Sequence, residues 1–227
     1  MTKDILILGL GKFGGQLAKA LNEKGVRVHG VDCEETLAAH NDHLYAKASV
    51  DLTTLDCEKA VQDLFSEFDA NFSAAVVSLG SQEALATSTA MALSDIRELP
   101  HVLVKAVDAM HESVLLRLAE SSTNRFEVII PERFAATRKA TSLADDGIEE
   151  DVRINDLVGI REIHCPASLV GKSLRDSGLR DDRQLNVVAV RFPGAETEIC
   201  LPTAETLLTE DCMLFVAGLI EHLDALS

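Results

Sequence analysis

The chain has 227 residues, of which 47% are hydrophobic and 4% aromatic, and a formal net charge of −16. That length supports one sizeable core, or one core with a small satellite domain. So acidic a surface repels nucleic-acid phosphates and anionic lipid, which argues against nucleic acid as a partner, and no apolar run reaches the ~18 residues that a membrane-spanning helix needs.

In chain order, residues 4–8 predict a strand, 13–24 a helix and 26–31 a second strand. A weaker strand is expected over 44–48, a helix over 55–65, a buried strand over 72–79 and a small-residue helix over 82–93. Strands over 102–107 and 126–130 flank a helix over 109–119, and a further helix runs from Pro131 to about Leu143. Alternation of this kind predicts a parallel sheet with helices on both faces. The stretch 145–151 holds five acids in seven residues around Gly147 and reads as a solvated hinge. Beyond it the pattern changes. Strands are expected over 158–164, 185–192, 196–201 and 213–217, with one or two helical turns at 174–179, a Pro193-Gly194 turn and a short helix over 220–226. The fold class is therefore α/β: a Rossmann-like, doubly wound parallel sheet over 1–144, a hinge over 145–152 and a small α+β domain over 153–227. No signal peptide precedes the first strand, and the five cysteines are scattered with no C-x-x-C spacing. Both features predict a cytoplasmic protein with reduced thiols.

The first strand runs into Gly9-Leu10-Gly11-Lys12-Phe13-Gly14. A strand ending in G-x-G-x-x-G and opening a helix makes a tight turn at Gly9. It admits phosphates at Gly11 and packs helix on strand at Gly14. The helix N-terminus then offers unpaired N–H groups and partial positive charge to an anion. Asp32 follows 18 residues after Gly14, at the end of the second strand. A carboxylate there accepts bonds from both ribose hydroxyls and repels a 2′-phosphate, so an adenine nucleotide other than NADP is expected. The glycine turn and Asp32 suit ATP/ADP and NAD(H) equally. A dehydrogenase would also need an acid–base group and a substrate pocket. The seven histidines are dispersed, His40 and His43 read as a solvated loop, and no G-x-S-x-G, H-E-x-x-H or Walker lysine motif occurs.

Several medium-strength motifs in order resemble one family. The opening turn is similar to the G-x-G-R-F-G of RCK or KTN domains, regulators of potassium conductance. Val76-Val77-Ser78-Leu79-Gly80, Val104-Lys105-Ala106 and Ile129-Ile130-Pro131-Glu132 resemble its later strands. Leu169-Val170-Gly171-Lys172-Ser173-Leu174 and Leu208-Thr209-Glu210-Asp211-Cys212-Met213-Leu214 resemble its C-terminal domain. Lys12 stands where the family usually has arginine, and Glu210 where it often has glycine.

The resemblance implies the cytosolic regulatory subunit of a Ktr- or Trk-type potassium-uptake system, and not an enzyme. It implies ATP, ADP or NAD(H) as ligand, a homodimer or octameric ring, and a membrane-embedded K⁺-translocating subunit as the partner that holds it at the membrane's inner face. It places Lys12 by a terminal phosphate, Phe13 within the ligand turn, Ser49 near the adenosine and Gly80 close to the nucleotide. Lys105, on a buried strand, needs a nearby phosphate or a carboxylate, since an unpaired buried charge is expensive. Glu132 is expected either to hold Mg²⁺ or Ca²⁺ between subunits or to complement a helix dipole. Arg161, Lys172, Arg175 and Arg191 read as solvated surface. The competing readings are an NAD-dependent oxidoreductase and an energy or redox sensor on another transporter.

Overall fold

The computed structural model describes residues 2–50, 57–194 and 199–226. The chain divides into two compact units, the second beginning at Glu132.

In the first unit the strands are β1 (Asp4–Leu8), β2 (Arg27–Asp32), β3 (Ala46–Ser49), β4 (Phe72–Val77), β5 (His101–Lys105) and β6 (Arg125–Ile129). Between them run α1 (Lys12–Glu23), α2 (Glu34–Ala39), α3 (Cys57–Phe68), α4 (Glu83–Ser94) and α5 (Ala109–Ala119). The six strands are parallel, in the order β3-β2-β1-β4-β5-β6. This is the Rossmann arrangement, with its switch point between β1 and β4. Strand β1 shows why the sheet needs covering on both faces. Leu6 and Leu8 enter a core with Leu64 and Leu93, whereas Ile7, pointing the other way, packs with Leu10, Ala18 and Leu37. The doubly wound fold expected from the sequence is borne out. Helix α2, a short helix just ahead of His40, is six residues long and buries only Leu37, too short to show a clear helical period. Residues 55 and 56 of the helix expected over 55–65 lie outside the described residues.

Beneath the sheet, Asp4 is buried with His29, whose Nε2 lies 2.8 Å from Asp4 Oδ1. Arg27 binds the other carboxylate oxygen and also stacks on the Tyr45 ring, 5.0 Å from its centroid. Burial alone would raise the Asp4 carboxyl, but hydrogen bonds from His29 and Arg27 outweigh it and hold the group below its ordinary value. A depressed carboxylate stabilises the fold above its unfolded pKa, and the contribution disappears as pH falls through the folded value. Below about pH 4, wild-type stability is therefore expected to fall more steeply than that of Asp4→Asn. Denaturant midpoints from pH 6 to 3 measure this, and parallel curves would remove Asp4 from the acid response.

The second unit starts with α6 (Pro131–Ala144), followed by β7 (Ile148–Arg153), β8 (Val158–His164), β9 (Asn186–Arg191), β10 (Ile199–Cys200), β11 (Met213–Leu219) and α7 (Ile220–Asp224). Its strands form an antiparallel sheet in the order β10-β9-β11-β8-β7. Leu169, Leu179, Leu185, Leu208 and Leu223 cover one face as the core. Of the strand expected over 196–201, residues 196–198 lie outside the described residues. The expected turns at 174–179 reduce to a 3₁₀ turn over Arg175–Ser177.

The acidic stretch read as a hinge over 145–152 is instead largely strand β7, paired with β8. Two of its five acids, Glu150 and Asp151, are paired with cations, whereas Asp146 and Glu149 are exposed. Arg138 and Lys139 of α6 both bind Glu150. Asp151 is buried, receiving Arg161 Nε at 3.3 Å and Thr141 Oγ1 at 2.8 Å. The unit division falls after Pro131, the first residue of α6, and the rest of that helix joins β7 through these contacts.

Candidate functional site

Where β1 ends, the chain turns at Gly9, whose N–H donates to Val31 O at 2.9 Å. Gly9 has φ +92, and a Cβ there would overlap the carbonyl oxygen of Ser78 at the end of β4. A Cβ on Gly14 would overlap the carbonyl of Gly9, so α1 sits directly on the turn. Both positions are glycine for internal reasons. Gly11 is different. Its φ is −65, which any residue adopts, and a Cβ there would meet nothing within 4 Å. The missing side chain leaves space in front of α1, whose N-cap receives no side-chain hydrogen bond. The first-turn N–H groups of a helix have no intrahelical acceptor. Open space before unsatisfied donors suits a phosphate.

A cleft of about 620 Å³ lies there, at the carboxyl ends of the strands. Of the residues expected at the ligand, Gly9, Gly11, Asp32, Ser49 and Gly80 line it. Ser49 stands beside Asp32 in the β2–β3 register. Asp32 also does something the motif did not announce. Its Oδ2 accepts from Leu10 N at 2.7 Å and its Oδ1 from Cys33 N at 2.7 Å. The carboxylate thereby anchors the glycine turn to β2. Each oxygen retains a lone pair for a ribose hydroxyl.

The other expected residues are not on this lining. Lys12 is exposed and borders a neighbouring recess with Gly11, Gln16 and His40. Phe13 packs on the core cluster of Ile7 and Leu10. Gly14 is buried beneath the turn. Lys105 is half-buried at the end of β5, opposite Ile129. Glu132 is exposed in the first turn of α6 and belongs to the second unit. Among the described residues, no three His, Cys, Asp or Glu side chains gather to hold a metal ion. A cation at Glu132 would need ligands from a nucleotide or another subunit.

The model of the TrkA-N domain matches residues 5–123 of this chain. The chain belongs to the TrkA-N family. Among relatives of this TrkA-N protein, the Ktr system potassium uptake proteins A and C of Bacillus subtilis are 26% and 27% identical over 218 residues, which is 96% of this chain and 92% and 93% of theirs. The GsuK RCK domain shares its fold with a TM-score of 0.59 at 20% identity, and the GsuK channel bound to NAD with 0.62 at 18%. All of this chain is covered in both, against 47% and 39% of the GsuK chains, so it spans less than half their length. The resemblance to RCK domains and Ktr subunits is borne out.

In this TrkA-N unit the cleft also includes Cys33, Thr36 and Gln82, which no motif marks. Cys33 follows the acid, its Sγ 3.2 Å from Thr36 Oγ1; Gln82 is the N-cap of α4. Position after Asp32 was the one available signal for Cys33. His40, read as solvated, packs its ring where a Gly15 side chain would be.

Asp32→Ala is expected to weaken ATP, ADP or NADH binding by at least several-fold, as lost charge-assisted bonds imply. It also leaves the buried Leu10 N–H without its acceptor, a loss of about 1–3 kcal/mol in stability. Calorimetry and chemical denaturation on one preparation separate the two effects. Unchanged affinity in the folded variant would take Asp32 out of the ligand site.

Proposed function

We propose that this chain is the nucleotide-sensing regulatory subunit of a potassium-uptake system, and not an enzyme. The observation that carries the ligand part is Gly11: glycine without an internal steric reason, facing open space at an uncapped helix start, one cleft wall away from Asp32. The potassium part rests on likeness to the Ktr proteins over nearly the whole of both chains. The ligand is ATP/ADP or NAD(H), held at the phosphates by the Gly9–Gly14 turn and at the ribose by Asp32. Among the described residues lining the cleft there is no histidine, lysine, arginine, tyrosine or glutamate, and Asp32 is already engaged by two amides. That chemistry favours holding a nucleotide over transferring a hydride.

The partner in this reading is a membrane-embedded K⁺-translocating subunit. Among the described residues no helix is long and apolar enough to cross a membrane, so attachment at the cytoplasmic face would come through that partner. The chain works as a dimer or larger ring, with Lys12 and a divalent cation at Glu132 favouring ATP over ADP at a subunit boundary. A ligand acts as a switch only by binding two shapes unequally.

Calorimetry with ATP, ADP and NADH, followed by light scattering on a sizing column, tests the proposal. At least one nucleotide is expected to bind, and the scattering profile to differ between ATP with Mg²⁺ and ADP. No binding by any of the three, or sustained NADH turnover with hydroxy-acid or aldehyde panels, would overturn it.

A further inference from the structure

In the second unit, the loop after β8 and the residue before β11 place two cysteines side by side. His164 pairs with Met213 in the antiparallel β8–β11 register, and the next step brings Cys165 opposite Cys212, with Cys165 N donating to Cys212 O at 2.9 Å. Directly opposed residues of antiparallel strands have Cα atoms about 4.5–5.5 Å apart, within the span a disulfide bridges. Both side chains enter the same apolar core, where Cys165 Sγ donates to Pro166 O at 3.8 Å. Cys212 is fully buried, whereas Cys165 is 7% exposed and lines a cleft of about 210 Å³ with Pro166 and Leu226.

We infer that Cys165 and Cys212 form a reversible dithiol–disulfide latch, closed by a peroxide that reaches Cys165 through this cleft. The balance is that of hydrogen peroxide reduction. Cys165 sulfur attacks one peroxide oxygen, the O–O bond breaks, and water leaves with a sulfenic acid remaining on Cys165. Cys212 sulfur attacks that sulfur, forming the S–S bond and releasing the second water. The two thiols lose two electrons and two protons, and the peroxide takes them up. Burial, with the charge and hydrogen bond of the Cys212 thiol, pushes the Cys165 thiol up to about 12. Thiolate, the reactive form, is therefore scarce at neutral pH. The latch ignores a brief pulse and closes under sustained oxidant. Once closed, it ties the end of β8 to the start of β11, the two central partners of the sheet.

The test uses the full chain, with the exposed Cys33 and Cys200 as internal reporters of oxidant strength. After prolonged hydrogen peroxide, non-reducing peptide mapping is expected to find Cys165 joined to Cys212. The thermal midpoint of the second unit is expected to rise by several degrees, since cross-linking restricts the unfolded chain, and dithiothreitol should reverse both changes. Cys165→Ala and Cys212→Ala should each abolish the cross-link, while Cys33→Ala should keep it. Should either core variant misfold, the wild-type map decides. Free thiols at Cys165 and Cys212 when Cys33 and Cys200 are fully oxidised, or Cys165 bridged to another cysteine, would overturn the latch.

Discussion

Gly11→Val is expected to lose nucleotide binding while keeping its fold. Gly11 has a negative φ in extended backbone, and a Cβ there meets nothing within 4 Å. The cost to folding is then limited to a poorer N-cap, about 1 kcal/mol or less. The isopropyl group, however, stands in the space before α1 where phosphate oxygens would meet the first-turn N–H groups. Hydrogen bonds to charged groups contribute about 1.5–3 kcal/mol each. Losing two of them weakens binding roughly 100-fold or more. Gly9→Val and Gly14→Val make the contrast. Their side chains collide with backbone carbonyls, so they should lower stability as well as binding. Calorimetry with ATP, ADP and NADH, alongside urea midpoints, measures both properties. If Gly11→Val binds all three as wild type does, phosphates do not sit at this helix.

The largest loss of stability is expected at Arg161, in the second unit. Its side chain is 3% exposed and its guanidinium joins Asp151, itself 2% exposed, to Asp224. The bond from Arg161 Nη2 to Asp224 Oδ1 measures 2.5 Å. Arg161→Met removes the principal countercharge of a buried carboxylate; the more exposed Arg153 Nε lies 3.8 Å from Asp151. Breaking a buried pair from one side costs about 3–5 kcal/mol, because the other charge stays behind. That is a large fraction of a domain's usual stability. Replacing both partners with apolar residues of similar size is often neutral. The double variant Arg161→Met, Asp151→Leu should therefore recover most of the loss. Urea denaturation of the wild type, single and double variants provides the cycle. A single-variant loss under about 1 kcal/mol, or a double variant no better than the single, would show that the pair is not a buried ionic tie.

The strand, turn, helix and acid of residues 4–32 were legible because each is a local pattern. A run of apolar residues, glycines at fixed spacing and a carboxylate at the end of the next strand need no distant contact to be recognised. The same holds for β8, whose seven residues match the expected strand. Other features depended on residues far away in the chain. The motif spacing separated the roles of Gly9 and Gly11, but not the atom that enforces the first, the Ser78 carbonyl arriving from the end of β4. Cys33 and Gln82 reach one cleft because parallel strands β1, β2 and β4 end side by side.

Charge misled most where it was densest. Five acids around Gly147 favour solvent when considered alone, and Arg161 likewise reads as surface. Folding brings Arg138 and Lys139 to Glu150 and Arg161 to Asp151, and paired charges are tolerated in a strand where isolated ones are not. By itself the sequence determined the alternation that makes a Rossmann sheet and the residue types that suit a nucleotide. Tertiary structure alone decided which acids are buried and which two cysteines lie opposed, because burial and ion pairing depend on chain segments that no local pattern connects.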